Sequence, residues 1–147
     1  LEGRYADPDL RLQKHPGEIG RAMLGQIEAM LAKIQWGRHD VAEFTGRYLS
    51  EPKPHVFFAP PAAPLARPAF ARAARQHGVA LDPKSRLLFA GKRFFINGES
   101  FTPLAAEIAA LTQLADRRRL AAPPADLQPR LYEWYQAGWL EIAHEPV

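Results

Sequence analysis

From Ile19 the apolar residues fall at Ile19, Met23, Leu24, Ile27, Met30, Leu31 and Ile34. Steps of three and four put them on one stripe of an α-helix. His15-Pro16-Gly17-Glu18 opens this helix, since proline suits a first-turn position and Glu18 meets the positive end of the dipole. Trp36-Gly37 closes it, giving roughly 20 residues, or about 30 Å. A second helix is predicted over 39–50, with Asp40 near its start and Val41, Phe44, Tyr48 and Leu49 as its apolar face. The short break between them predicts an antiparallel helical hairpin. Residues 51–68 then hold Pro52, Pro54, Pro60, Pro61, Pro64 and Pro68. Such a run reads as a stiff connector and a domain boundary. Val56-Phe57-Phe58 inside it is apolar, so the connector is expected to lie against a surface. A proline-rich ligand for a partner domain is the alternative.

Beyond Pro68 the periods are mixed. A short helix contains Phe70, Ala73 and Ala74 and stops at Gly78. Arg86–Phe89 and Arg93–Ile96 flank Ala90-Gly91-Lys92 as a hairpin. Asn97-Gly98 is the strongest turn dipeptide in the chain, and 99–101 can return as a third strand. Thr102-Pro103 predicts a helix start, with Thr102 as N-cap, and Leu104, Ile108, Leu111 and Leu114 follow at helical spacing. That helix stops near Asp116. Asp126 is expected to cap a last helix that buries Leu127, Leu131, Trp134 and Tyr135. Gly138 ends it, and 139–142 alternates like an edge strand. No internal repeat is read. Two consecutive helices beside a small sheet make a helix-turn-helix with β wings, although their connecting loop exceeds the usual three or four residues. The fold class is therefore α+β, mostly helical: a helical segment at 1–50, a connector at 51–68 and a winged-helix-like domain at 69–147.

Composition narrows the chemistry. The 147 residues include no cysteine, so neither a disulfide framework nor a thiolate metal site is available. That fits a reducing cytoplasm. The first fifteen residues are charged and proline-punctuated, unlike a signal peptide, and no stretch is apolar enough to span a bilayer. A chain opening on Leu1 rather than methionine reads as a fragment or processed product. Its five histidines, His15, His39, His55, His77 and His144, have Gly17, Val41, Phe57, Val79 and Pro146 two residues on. The His-x-carboxylate pair of a facial iron site is thus missing, and no catalytic, metal or cofactor residue is assigned. The serine-elbow, phosphate-loop and dinucleotide patterns are missing too. Glu107 and Glu133 are expected on solvated helix faces.

What remains are surfaces. The net charge of +3 lies wholly in residues 66–147, with 11 basic and 8 acidic residues, against 8 and 8 before them. A winged helix that reads DNA places the second helix of its pair in the major groove. Here that helix carries Asp126 and Glu133, which oppose a polyanion, so nucleic acid is disfavoured as a partner. Arg117, Arg118, Arg119, Lys92 and Arg93 are the candidate phosphate contacts. The apolar stripe of the first helix is wider than one shorter partner covers. Ile19, Met23, Ile27, Met30, Leu31, Ile34, Phe44 and Tyr48 are therefore candidate homodimer contacts, two hairpins closing into a four-helix bundle. Packing against another domain of the same polypeptide is the alternative.

Arg4-Tyr5-Ala6-Asp7-Pro8-Asp9-Leu10 and His15-Pro16-Gly17-Glu18-Ile19 resemble the segment that follows the catalytic barrel in bacterial ribosomal oxygenases, cupin-fold enzymes of the JmjC type. Ala59-Pro60-Pro61, the run Arg93 to Glu99 with Asn97-Gly98-Glu99, and Gly138-Trp139 are similar to the rest of that family's C-terminal region. The resemblance implies a three-part protein. A JmjC barrel holds Fe(II) and 2-oxoglutarate and hydroxylates a ribosomal protein, an arginine in the bacterial members; a helical dimerisation region and a winged helix follow. The barrel has no counterpart in these residues, so Fe(II) and 2-oxoglutarate are implied for a separate catalytic domain and not for this chain. The implied partners are a second copy, the protein's own JmjC domain and a ribosomal protein substrate. An independent nucleic-acid-binding winged helix is the alternative.

Overall fold

A computed structural model of the chain describes residues 19–143. They fall into two units, one ending at Trp36 and one beginning at Gly37. In the first, α1 (Arg21–Ala32) has 12 residues, fewer than the pattern predicts, because Gly20 takes extended angles (φ −65°, ψ 148°) and becomes the N-cap. The expected opening at 15–18 lies outside the described residues. No residue of α1 is buried.

The second unit runs α2 (Arg38–Ser50), α3 (Arg67–His77), β1 (Val79–Leu81), β2 (Leu87–Ala90), β3 (Arg93–Ile96), β4 (Glu99–Phe101), α4 (Ile108–Arg117), β5 (Arg119–Leu120), α5 (Gln128–Gln136) and β6 (Leu140–Ile142). The strands form two antiparallel sheets, ordered β2-β3-β4 and β5-β1-β6. The described residues are thus α+β and about half helical, as the pattern predicts. The β2–β3 hairpin and the Asn97-Gly98 turn stand where expected. Both turn residues have positive φ, 49° and 90°, the combination that a tight hairpin turn requires. Strand β1 is not foreshadowed by any sequence pattern. It is three buried residues with no alternation, yet it is the centre of its sheet.

The break between units is not in the proline-rich stretch. Helix α2 belongs with the sheets, and its buried residues are Gly46 and Ser50 rather than its large apolar ones. A Cβ at Gly46 would stand 2.3 Å from the Phe95 ring, so only glycine allows this approach. Ser50 Oγ accepts the Gly98 N–H at 3.0 Å. Residues 51–66 form a strap held across the second unit by hydrogen bonds to their backbone, although Phe57 of the apolar run is 78% exposed. Lys84 Nζ donates to the Phe57 carbonyl at 2.7 Å, the Leu65 N–H donates to Tyr135 Oη at 3.2 Å, and Tyr132 Oη donates to the Leu65 carbonyl at 3.1 Å.

The structure also contains a repeat that the sequence does not display. A 3-10 turn (Ala105–Glu107), α4 and β5 recur 20 residues later as a 3-10 turn (Ala125–Leu127), α5 and β6. Leu111 matches Leu131, Leu114 matches Trp134 and Leu120 matches Leu140, all buried. Arg118 and Gly138, both at positive φ, end the two helices. Val79 of β1 pairs with Leu120 on one side and Ile142 on the other. Few identities survive between the copies (Pro103 and Pro123, Ala105 and Ala125, Leu111 and Leu131, Leu120 and Leu140), too few to register as periodicity.

The 3-10 turns also change the caps. Leu104 rather than Thr102 caps the first, donating its N–H to Glu107 Oε2 at 2.7 Å. Pro124 caps the second, leaving Asp126 inside the turn. Glu107, expected on a solvated face, is buried beside Arg130 at 3.6 Å. Leu104, in line with Ile108, Leu111 and Leu114 by its spacing, is exposed. Leu111 and Leu114 of that row, and the expected core residues Leu127, Leu131, Trp134 and Tyr135, are buried in one cluster with Phe70, Phe94 and Ile96.

Candidate interaction surfaces

One side of α2 is fixed by a polar cluster. Glu43 accepts hydrogen bonds from Arg93 Nε, from Ser100 Oγ and, at 2.7 Å, from Arg47 Nε; Arg47 Nη2 also donates to Ser100 Oγ at 3.0 Å. The Ser100 hydroxyl first, then Arg47, favour the carboxylate form. They hold Glu43 at about 2, down from the ordinary 4.5. With Glu43, Gly46 and Ser50 turned to the sheet, the large residues of α2 turn away. Phe44 and Tyr48 are 61% and 67% exposed, and their rings stack 5.9 Å apart and within 9° of parallel. Val41 extends this strip, and Leu49 is also exposed. Beside the helix runs a groove of about 380 Å³, with Ala42, Thr45, Leu49, Leu87, Phe89 and Asp116 in its walls.

In the first unit, Ile19, Ile27, Met30, Leu31 and Ile34 are exposed and Met23 is half-buried. Every apolar candidate named from the sequence is thus a surface residue of its own unit. The expected apolar face of α2 is apolar and outward. Periodicity identified it; the contacts of Glu43, Gly46 and Ser50 show that the opposite side is the docked one.

The five phosphate candidates separate. Arg93 is tied to Glu43. Arg118, in left-handed conformation, donates to the Ser85 and Asp82 carbonyls at 3.1 and 2.8 Å, so it closes the end of α4. Lys92, Arg117 and Arg119 are exposed and make no ion pair among the described residues. The helix in the recognition position, α5, exposes Glu133 and Gln136, with Asp126 exposed in the turn before it; its one cation, Arg130, lies against Glu107 and over the Phe101 ring at 4.4 Å. The arginines of α3 are not among the candidates named from the sequence. Arg67, Arg72 and Arg75 sit with His77 on eleven residues that contain no acid, a signal that the apolar spacing of that helix does not carry.

Among the described residues, no group of three His, Cys, Asp or Glu side chains gathers to hold a metal ion. The facial donor set of an iron oxygenase is not assembled among the described residues. No described helix is long and apolar enough to cross a membrane.

The sequence matches the ROXA-like winged helix over residues 29–141. The chain belongs to that family. Solved structures agree on the fold. The chain is similar to YcfD, a ribosomal oxygenase from Escherichia coli, at 21% identity and TM-score 0.64, over 95% of this chain and 41% of that one. It is also similar to YcfD in complex with cobalt and 2-oxoglutarate, at 20% identity and TM-score 0.65, over 95% and 40%. With cobalt and succinic acid the values are 23% and 0.62, over 95% and 41%. The ROXA-like chain therefore spans about 40% of the length of these structures, corresponding to their C-terminal region. No curated protein matches it in sequence.

Proposed function

We propose that this ROXA-like chain is the non-catalytic, self-associating C-terminal part of an Fe(II)- and 2-oxoglutarate-dependent ribosomal protein hydroxylase of the cytoplasm. The observation that carries the reading is the division of labour across α2. A glycine, a serine and a carboxylate fix one side to the sheet, while Val41, Phe44 and Tyr48 stand in water on the other. A stacked aromatic pair on a rigid helix is costly to leave uncovered and is the kind of anchor that dominates protein interfaces. The unburied stripe of α1 is a second such face. A second copy supplies both faces at once, and four helices are a common way to close them.

The chemistry is assigned to the rest of the longer protein. YcfD binds 2-oxoglutarate together with cobalt, a divalent stand-in for Fe(II), and the donor set of this unit does not provide such a site. The winged helix is assigned a protein-facing role, positioning the catalytic part or docking a ribosomal protein. Sequence reading of DNA is disfavoured because Asp126 and Glu133 stand exposed at α5 while its one cation, Arg130, lies against Glu107, and affinity for a polyanion rests on phosphate neutralisation.

Ile27→Asp and Tyr48→Asp test the interface. Each sets an unpaired carboxylate in an apolar seam. Light scattering should report the parent as a dimer and each variant as a monomer. A parent that is monomeric at tens of micromolar would mean that the catalytic part, not a second copy, covers these faces.

A further inference from the structure

Helix α3 is the most one-sided charge in the fold. Its eleven residues, Arg67–His77, contain three arginines, a histidine and no carboxylate. At 3.6 residues per turn, Arg67, Arg72 and Arg75 fall within an arc of about 140°. Phe70 and Ala74 are buried on the side of the helix next to Arg67 and away from Arg72, which leaves Arg72 and Arg75 in solvent. The Arg67 guanidinium lies 5.3 Å over the Tyr132 ring, so its plane is held at the start of the helix. The exposed acids on the neighbouring elements, Glu133 of α5 and Glu141 of β6, form no ion pair with these arginines, and neither does any other described carboxylate. Arg72 and Arg75 are therefore exposed with no ion pair among the described residues, beside an Arg67 that rests on Tyr132.

We propose that α3 is a docking face for the phosphate backbone of duplex nucleic acid. Guanidinium groups pair bidentately with phosphate and remain charged at any working pH. Arg72 and Arg75, one turn apart, can address neighbouring phosphates while the stacked Arg67 addresses a third. Such contacts position a duplex without reading it, which agrees with the acidic surface of α5. In this fold the face that meets nucleic acid is α3, which precedes the helix pair, and not α5, the second helix of that pair, and the assignment holds whether the chain is a monomer or a dimer.

Fluorescence anisotropy of a short, labelled, random-sequence duplex tests this, with DNA and RNA probes, on the whole chain across a salt series. The slope of log affinity against log salt has a magnitude of about 0.9 for each B-DNA phosphate that the protein neutralises. Arg72→Gln with Arg75→Gln should therefore flatten the DNA slope by about 2. Arg38→Gln with Lys53→Gln removes the same charge elsewhere and should leave the slope unchanged. Both pairs are exposed, and thermal melts matching the parent verify folding. Equal weakening by the two double variants would mean that net charge alone attracts the duplex, and would overturn the assignment. So would a parent that does not bind at low salt, or competition by polyglutamate as effective as by unlabelled duplex.

Discussion

Gly46→Ala should loosen the second unit, although alanine is the better helix former. The new methyl would lie 2.3–2.4 Å from three carbons of the Phe95 ring, against 3.4–4 Å for ordinary contact. Phe95 is 1% exposed, so either its ring shifts toward the groove that it lines with Gly46 or α2 lifts. Overpacking of this kind costs about 1–3 kcal/mol, and the upper part of that range applies because the clash is with a ring and not a flexible chain end. Helix propensity returns about 1 kcal/mol. The net loss is about 2 kcal/mol. For a unit a little above 100 residues, at about 4 °C per kcal/mol, that lowers Tm by about 8 °C. Circular dichroism melts measure it, and Phe95→Leu in the Gly46→Ala background should recover part of the loss by making room. A rise in Tm for Gly46→Ala alone would show that α2 is not seated on Phe95.

Two other outcomes follow from the same packing. Glu43 is held well below its ordinary range in the folded state, so its contribution is complete above pH 4.5 and fades as pH falls from there toward 2; acid titration of Glu43→Gln should lack that component, and identical acid limbs for parent and variant would contradict the cluster's role. Calorimetry with Fe(II) or Mn(II) under nitrogen should give no saturable heat with the isolated chain, since no described donor cluster could hold the ion, and a micromolar site would contradict the assignment of the chemistry elsewhere.

Much of the fold is legible in the sequence because the relevant signals are local. Leu111, Leu114, Leu131 and Trp134 declare a helical core by spacing, and Asn97-Gly98 declares its turn by the positive φ that both residues tolerate. What stays hidden depends on contacts distant along the chain. Gly46 looks like a weak point in a helix and is the point of closest approach to a ring 49 residues away. Val79–Leu81 is too short to carry a pattern and becomes a strand only because β5 and β6 flank it. Glu107 reads as a surface acid until the 3-10 turn brings it to the Leu104 N–H and Arg130. Arg93 and Arg118 read as free cations and are fold contacts, while the unpaired arginines of α3 lie on a helix whose apolar spacing draws the eye first. Charge on a sequence shows how many cations exist; their partners are set by the fold.

The account rests most directly on the mass of the unmodified chain in solution. Sedimentation equilibrium at tens of micromolar should give twice the 16.4 kDa of one copy, with dissociation only on dilution. A single species at 16.4 kDa throughout would contradict the claim that a second copy covers the outward faces of α1 and α2.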